Sequence, residues 1–182
     1  MVYALIFIGA LVTSWNAGMA VPDWPLSFGS LNPSGWWADF AVRLEHGHRL
    51  YAAAVGVLVG ILVAWLHGNF RALGGALLTA VMVGIVGRFG DISPELRMHL
   101  GLWFPALVYL GLLFRRKPDQ DPGVVRLGRI VFLLVCLQAT LGGLRVTQET
   151  AGSIDVALVL RVFHGCVAQV FLAILVMISA SL

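Results

Sequence analysis

Glu45-His-Gly-His-Arg-Leu-Tyr-Ala-Ala-Ala-Val-Gly-Val-Leu-Val-Gly-Ile-Leu-Val-Ala-Trp-Leu66 is the stretch that decides the fold. After Arg49 it carries no charge and no proline through Leu66. Crossing about 30 Å of hydrocarbon takes ~20 helical residues, with 17 to 25 usual, so it predicts a membrane helix over 48–66. Its head is the opposite in character, with one acid, two imidazoles and a guanidinium within five positions. Ionisable groups at the edge of a bilayer are costly and so point to function.

Five further apolar runs surround it, at roughly 2–18, 72–88, 98–114, 129–146 and 160–182. The expectation is an all-α, polytopic bundle of about six transmembrane helices, a single domain over 1–182 in the cell inner (plasma) membrane. The composition agrees: 59% of the 182 residues are apolar and 12% charged, against roughly a quarter charged in soluble domains. The run Tyr3 to Trp15, with Gly18-Met19-Ala20 behind it, imitates a secretion signal. No basic residue precedes it, so it reads as a short first helix.

Net charge of +3 and a pI near 9.3 do not make this a nucleic-acid binder, because the cations sit at the ends of apolar runs rather than along one face. Cys136 and Cys166 both lie inside apolar runs, which excludes a loop disulfide and gives no zinc spacing.

An even helix number puts both ends of the chain on one side. The loops Ala20–Glu45, Phe89–Arg97 and Thr147–Val159 share the other. Lys and Arg divide equally between the sides, so their number does not orient the chain. Seven acids neutralise the first set of loops, however, while Arg115-Arg116-Lys117 faces only Asp119 and Asp121. That basic turn is expected in the cytoplasm. The segment Ala20–Leu44, punctuated by tryptophans and prolines, is then an outer loop after helix one. Trp36 and Trp37 suit an interfacial aromatic belt. Pro22-Asp23-Trp24-Pro25 suits a folded cap over a site.

Three helices running inward from the outer face each begin with a histidine: His48, His99 and His164. Facing helices can offer two imidazoles to the two sides of a haem iron. Glu45, His48 and Arg49 share one helical face. His46 lies about 200° from His48 and is expected to be a solvated loop residue. His99 fits an interface histidine paired with Glu95, and His67 a helix-end residue without chemistry. Arg49, Arg145 and Arg161 are candidates for haem propionates. Gly142 and Gly143 offer either close approach of a macrocycle or close helix packing.

These strings resemble a known family. Thr13-Ser14, Ala20-Val-Pro-Asp-Trp-Pro25 and Glu45-His-Gly-His-Arg-Leu50 are similar to the first outer loop and second helix of haem A synthases. Leu137-Gln-Ala-Thr-Leu-Gly-Gly-Leu-Arg-Val-Thr147 and Phe163-His-Gly-Cys-Val-Ala-Gln169 resemble later segments of that family. The resemblance covers about half of the chain. It implies a membrane oxidoreductase that converts a ring methyl of haem O to a formyl group for cytochrome oxidase assembly. Haem, with its iron, is the cofactor and substrate; His48 and His164 are the iron ligands and Glu45 the catalytic acid.

Family members usually have eight helices in two halves, the second holding haem b. The resemblance therefore implies that this chain is the N-terminal half, with an extra helix pair at about 67–125. A second copy or a missing C-terminal half would complete it, and an electron donor is required. Two other readings stay open: a haem-binding or cytochrome b-like electron-transfer subunit that would not need Glu45, and a structural subunit without cofactor.

Overall fold

A computed structural model describes residues 1–89, 94–113 and 121–182, without the side chains of 84, 86–89, 94, 95 and 97–99. His99, Glu95 and the Arg115-Arg116-Lys117 turn therefore lie outside what is described. The described residues form six α-helices: α1 (Val2–Ser14), α2 (Phe40–Leu66), α3 (Arg71–Phe89), α4 (Pro94–Leu113), α5 (Pro122–Thr150) and α6 (Ile154–Ser181). The expected all-α class holds. Three of the helices, α2, α5 and α6, are long and apolar enough to cross a membrane. The chain is a multi-pass membrane protein. α1, α3 and α4 supply shorter apolar stretches, Val2–Ser14, Arg71–Val83 and Leu100–Leu113.

Helix boundaries exceed the apolar runs, for local reasons. α2 starts at Phe40 rather than near His48 because the Asp39 side chain accepts a hydrogen bond from the Val42 amide at 2.9 Å, which satisfies one of the orphan donors of a helix start. Before α5, the Asp121 carboxylate accepts from the Gly123 amide at 2.7 Å, and Pro122 occupies a first-turn position that needs no donor. Polar capping thus carries these helices beyond the hydrocarbon that the hydropathy pattern marks.

The chain divides into two compact units. Unit 1 comprises residues 1–58 and 133–182, and so holds α1, most of α2, most of α5 and α6. Unit 2 comprises residues 59–132 and contains the α3–α4 pair. Within unit 2, Tyr109 donates its hydroxyl to the Gly60 carbonyl at 2.5 Å. Asn69 donates to the Leu112 carbonyl at 3.0 Å. His67, fully buried, donates from Nδ1 to the Val63 carbonyl at 2.9 Å and accepts at Nε2 from Arg129 Nε at 3.0 Å. Apolar surroundings make unpaired polar groups costly, so these bonds stitch the turns of the unit to its helices.

Candidate functional site

Unit 1 gathers the chemistry. Glu45, His48 and Arg49 come from the first turns of α2, Arg145 and Glu149 from the last turns of α5, and Arg161 and His164 from the first turns of α6. α5 and α6 run antiparallel across a short turn, which brings the end of one beside the start of the other. His48 and His164 are close enough to interact electrostatically, and Arg145 acts on Glu45 and on both imidazoles. His48, His164 and Glu45 therefore share one neighbourhood.

Each imidazole rests on a glycine of a neighbouring helix. A Cβ at Gly9 of α1 would stand 3.1 Å from His48 Cε1, and one at Gly142 of α5 would stand 3.4 Å from His164 Cε1. At Gly9 an added Cβ would make the ring give by a few tenths of an ångström, whereas at Gly142 it would be in ordinary contact. Nδ1 of both rings is buried without a hydrogen-bond partner, whereas both residues keep partial exposure. Gln138, one turn before Gly142, donates to the His164 backbone carbonyl at 3.0 Å, and its Oε1 is buried and unpartnered.

The arginines divide their work. Arg49 donates to Glu45 Oε1 from Nε at 3.1 Å, and its NH2 group lies 3.0 Å from the same oxygen in an ion pair. Its NH1 group reaches the carbonyls of Asp23 (2.5 Å) and Leu26 (2.8 Å), and NH2 that of Val21 (2.8 Å). Four of the five guanidinium donors are hydrogen-bonded, so Arg49 clamps the outer loop rather than standing free for a propionate. Arg145 donates to the Gly18 carbonyl at 2.8 Å and pairs with Glu149 at 3.3 Å. Arg161 pairs with the same Glu149 oxygen at 3.2 Å. Nε of both Arg145 and Arg161 is buried and unpartnered, so these two keep donors for an anion.

Glu45 is buried, and its second oxygen, Oε2, has no partner. The Glu45–Arg49 pair is thus an enclosed ion pair and not a solvated helix-surface contact.

Over the site the loop folds as a cap. The Asp23 carboxylate accepts from the amides of Phe28 and Gly29, both at 2.8 Å. Phe28 and Gly29 take left-handed backbone angles (φ 50° and 71°), and Ser27 and Ser30 exchange backbone hydrogen bonds at 2.9 and 3.0 Å. The Trp24 ring lies against Gly143, where a Cβ would come within 2.5–2.8 Å of it. Of the two expected macrocycle glycines, Gly143 therefore seats the cap and Gly142 seats His164. Thr150 Oγ1 adds a bond to the Pro22 carbonyl at 3.2 Å.

His46 corrects an expectation. Because α2 begins at Phe40, His46 is helical and buried rather than a solvated loop residue. Its Nδ1 is 2.8 Å from Ser27 Oγ, and its ring meets Trp36 edge-on at 4.6 Å. It fastens the cap on a face of α2 different from that of His48, as the helical offset requires.

Gly9, Gln138 and Glu149 had no part in the sequence reading of the site. A signal for Gly9 exists: Gly9-Ala-Leu-Val-Thr13, with Ala17-Gly18 behind it, recurs as Gly143-Leu-Arg-Val-Thr147 with Ala151-Gly152 behind it. The register is off by one from Gly142, the glycine that His164 uses. Among the described residues no group of three or more His, Cys, Asp or Glu is placed to hold a metal ion. Two axial imidazoles suit an iron whose four other ligands come from a macrocycle, and the enclosed rings on glycine seats fit that group.

Comparison with known proteins redirects the functional expectation. No protein-family profile matches the chain, and no solved structure matches it. A protein named protoheme IX farnesyltransferase, from Haloarcula marismortui, is 36% identical over 86 residues, which cover 47% of this chain and 17% of that protein. The chain thus spans only a small part of this relative's length. The assignment to haem A synthases is overturned by this finding, and with it the expected oxidation of haem O. The similarity found is to a transferase, and it supports neither an oxidoreductase nor an electron carrier. Short strings such as Pro22-Asp-Trp-Pro25 and Glu45-x-x-His48 specify a cap and a histidine helix, and neither fixes the reaction carried out beside them.

Proposed function

We propose that the chain is a membrane module that binds a protohaem-type macrocycle, with His48 and His164 as its axial pair, and serves modification of that haem by prenyl transfer. The observation that carries the reading is the pair of enclosed imidazoles on α2 and α6, each on its own glycine seat and each with an unpartnered Nδ1. An imidazole nitrogen buried without a partner forfeits about 1–3 kcal/mol, a cost that a ligand bonded to that nitrogen would remove.

Bound haem would supply an iron, which His48 and His164 would hold. Arg145 and Arg161 would hold its carboxylates with the donors that Glu149 leaves over. Glu45, with a free oxygen in a closed site, would accept or hold a proton beside the macrocycle. The name of the partial relative supports protohaem as the macrocycle and a farnesyl group as what is transferred; the transfer is assigned to the assembly in which the module works. In this reading all six helices cross the bilayer, with the loop after α1 outside.

Titration of the detergent-purified chain with protohaem tests the reading. It predicts 1:1 binding with a six-coordinate, low-spin spectrum. In membranes that hold the chain in its assembly together with a farnesyl donor, it predicts farnesylated haem detectable by mass spectrometry. Absence of stoichiometric haem binding would overturn it.

A further inference from the structure

Away from the histidine pair, the junction of α1, the outer loop and α2 presents a fixed cation inside an exposed ring of aromatics. Arg43, in the first turns of α2, lies with its guanidinium carbon 5.5 Å from the Trp37 ring centroid and 5.4 Å from that of Phe40. Its NH1 group donates to the Trp37 carbonyl at 3.1 Å. Trp15, just beyond α1, meets Phe40 edge-on at 5.1 Å. Trp15, Trp37 and Phe40 are exposed to the extent of 63%, 65% and 44%. Among the described residues the ion pairs are Arg49–Glu45, Arg145–Glu149 and Arg161–Glu149, so Arg43 has no carboxylate partner there.

We propose that this patch is a binding site for the phosphate of an anionic phospholipid headgroup. Three features favour a lipid over a protein partner. The patch sits at the first turn of a helix long and apolar enough to cross the membrane, which is the depth at which tryptophans meet headgroups. Its cation is held by two rings and a carbonyl, so little side-chain freedom remains to be lost on binding. The guanidinium also keeps most of its donors for a planar, forked contact with phosphate oxygens, while the flanking rings cover the glycerol and upper acyl carbons. The site makes no use of the haem reading and stands whether or not haem binds.

The test is native mass spectrometry of the full chain with phosphatidylglycerol or phosphatidylcholine added. Phosphatidylglycerol should bind more tightly, and Arg43→Gln should weaken its binding about tenfold, the loss expected of a charge-assisted contact. Arg43→Lys, which keeps the charge without the fork, should fall between. Added monovalent salt should weaken wild-type binding and leave Arg43→Gln nearly indifferent. Far-UV circular dichroism of each variant establishes that it is folded. A second measurement needs no variant: phosphatidylglycerol brominated near the headgroup should quench tryptophan fluorescence more than the same lipid brominated near the chain ends. Equal phosphatidylglycerol affinity of wild type and folded Arg43→Gln, or stronger quenching from the chain ends, would overturn the proposal.

Discussion

Gly9 of α1 lies so close under His48 of α2 that a Cβ on the glycine would stand 3.1 Å from the ring's Cε1. That approach makes a glycine on the shortest helix part of what positions the His48 ring. Gly9→Ala should push the ring by a few tenths of an ångström, at about 1–3 kcal/mol for overpacking. The expected outcome is protohaem affinity reduced about tenfold and a smaller low-spin fraction, read by optical titration. Gly142→Ala, whose Cβ would meet His164 at 3.4 Å, should have the milder effect. Spectra of Gly9→Ala identical to wild type would remove the glycine seat from the account.

Arg49 predicts a loss of a different kind. Its guanidinium joins Glu45 to three loop carbonyls, and it is nearly enclosed. Arg49→Ala would strand a buried carboxylate and release the cap, which should cost about 3–5 kcal/mol in a thermal melt and expose the loop to protease. Arg49→Lys should recover little, because an ammonium cannot span the same fork. A melt within 1 kcal/mol of wild type, a threshold set by the small net worth of an exposed pair, would contradict the clamp.

His67, just past the end of α2, gives a pH signature. Burial pushes its pKa below the ordinary value; the Val63 carbonyl opposes the shift and the charge of Arg129 adds to it. The fold therefore favours neutral His67, whose Nε2 must accept from Arg129. Since the folded pKa is depressed, the stabilisation is complete above the unfolded value of about 6.5 and is lost as pH falls from there through the folded value. Melting temperature should drop on acidification from neutral pH, and His67→Gln should show a shallower drop from a lower start. Parallel slopes in the two proteins would refute this origin.

Much of the architecture was legible because the signal for membrane helices is coarse and additive. Apolar runs longer than a core helix needs, ending in charges, leave few alternatives. The first turns of α2 were not legible, because Asp39 extends the helix by capping it and hydropathy does not register a cap. His46 was misplaced for that reason alone. Equal depth in the sequence marked three histidines, His48, His99 and His164, and did not by itself choose two of them. Glycine seats are contacts between distant segments, and a glycine in an apolar run carries no mark of what lies against it. Reaction type was least legible of all, since imidazoles, arginines and a buried acid serve several haem chemistries equally well.

The central claim is that His48 and His164 together hold one haem iron, and the visible and electron paramagnetic resonance spectra of the haem-reconstituted chain test it most directly. The account predicts a six-coordinate, low-spin bis-imidazole signal in wild type. In His48→Ala and in His164→Ala it should be replaced by a five-coordinate, high-spin species, because each variant removes one axial nitrogen. His46→Ala should keep the wild-type signal while melting earlier, since that ring fastens Ser27 and Trp36 of the cap. A low-spin signal that survives both His48→Ala and His164→Ala, or one lost only with His46→Ala, would contradict the claim.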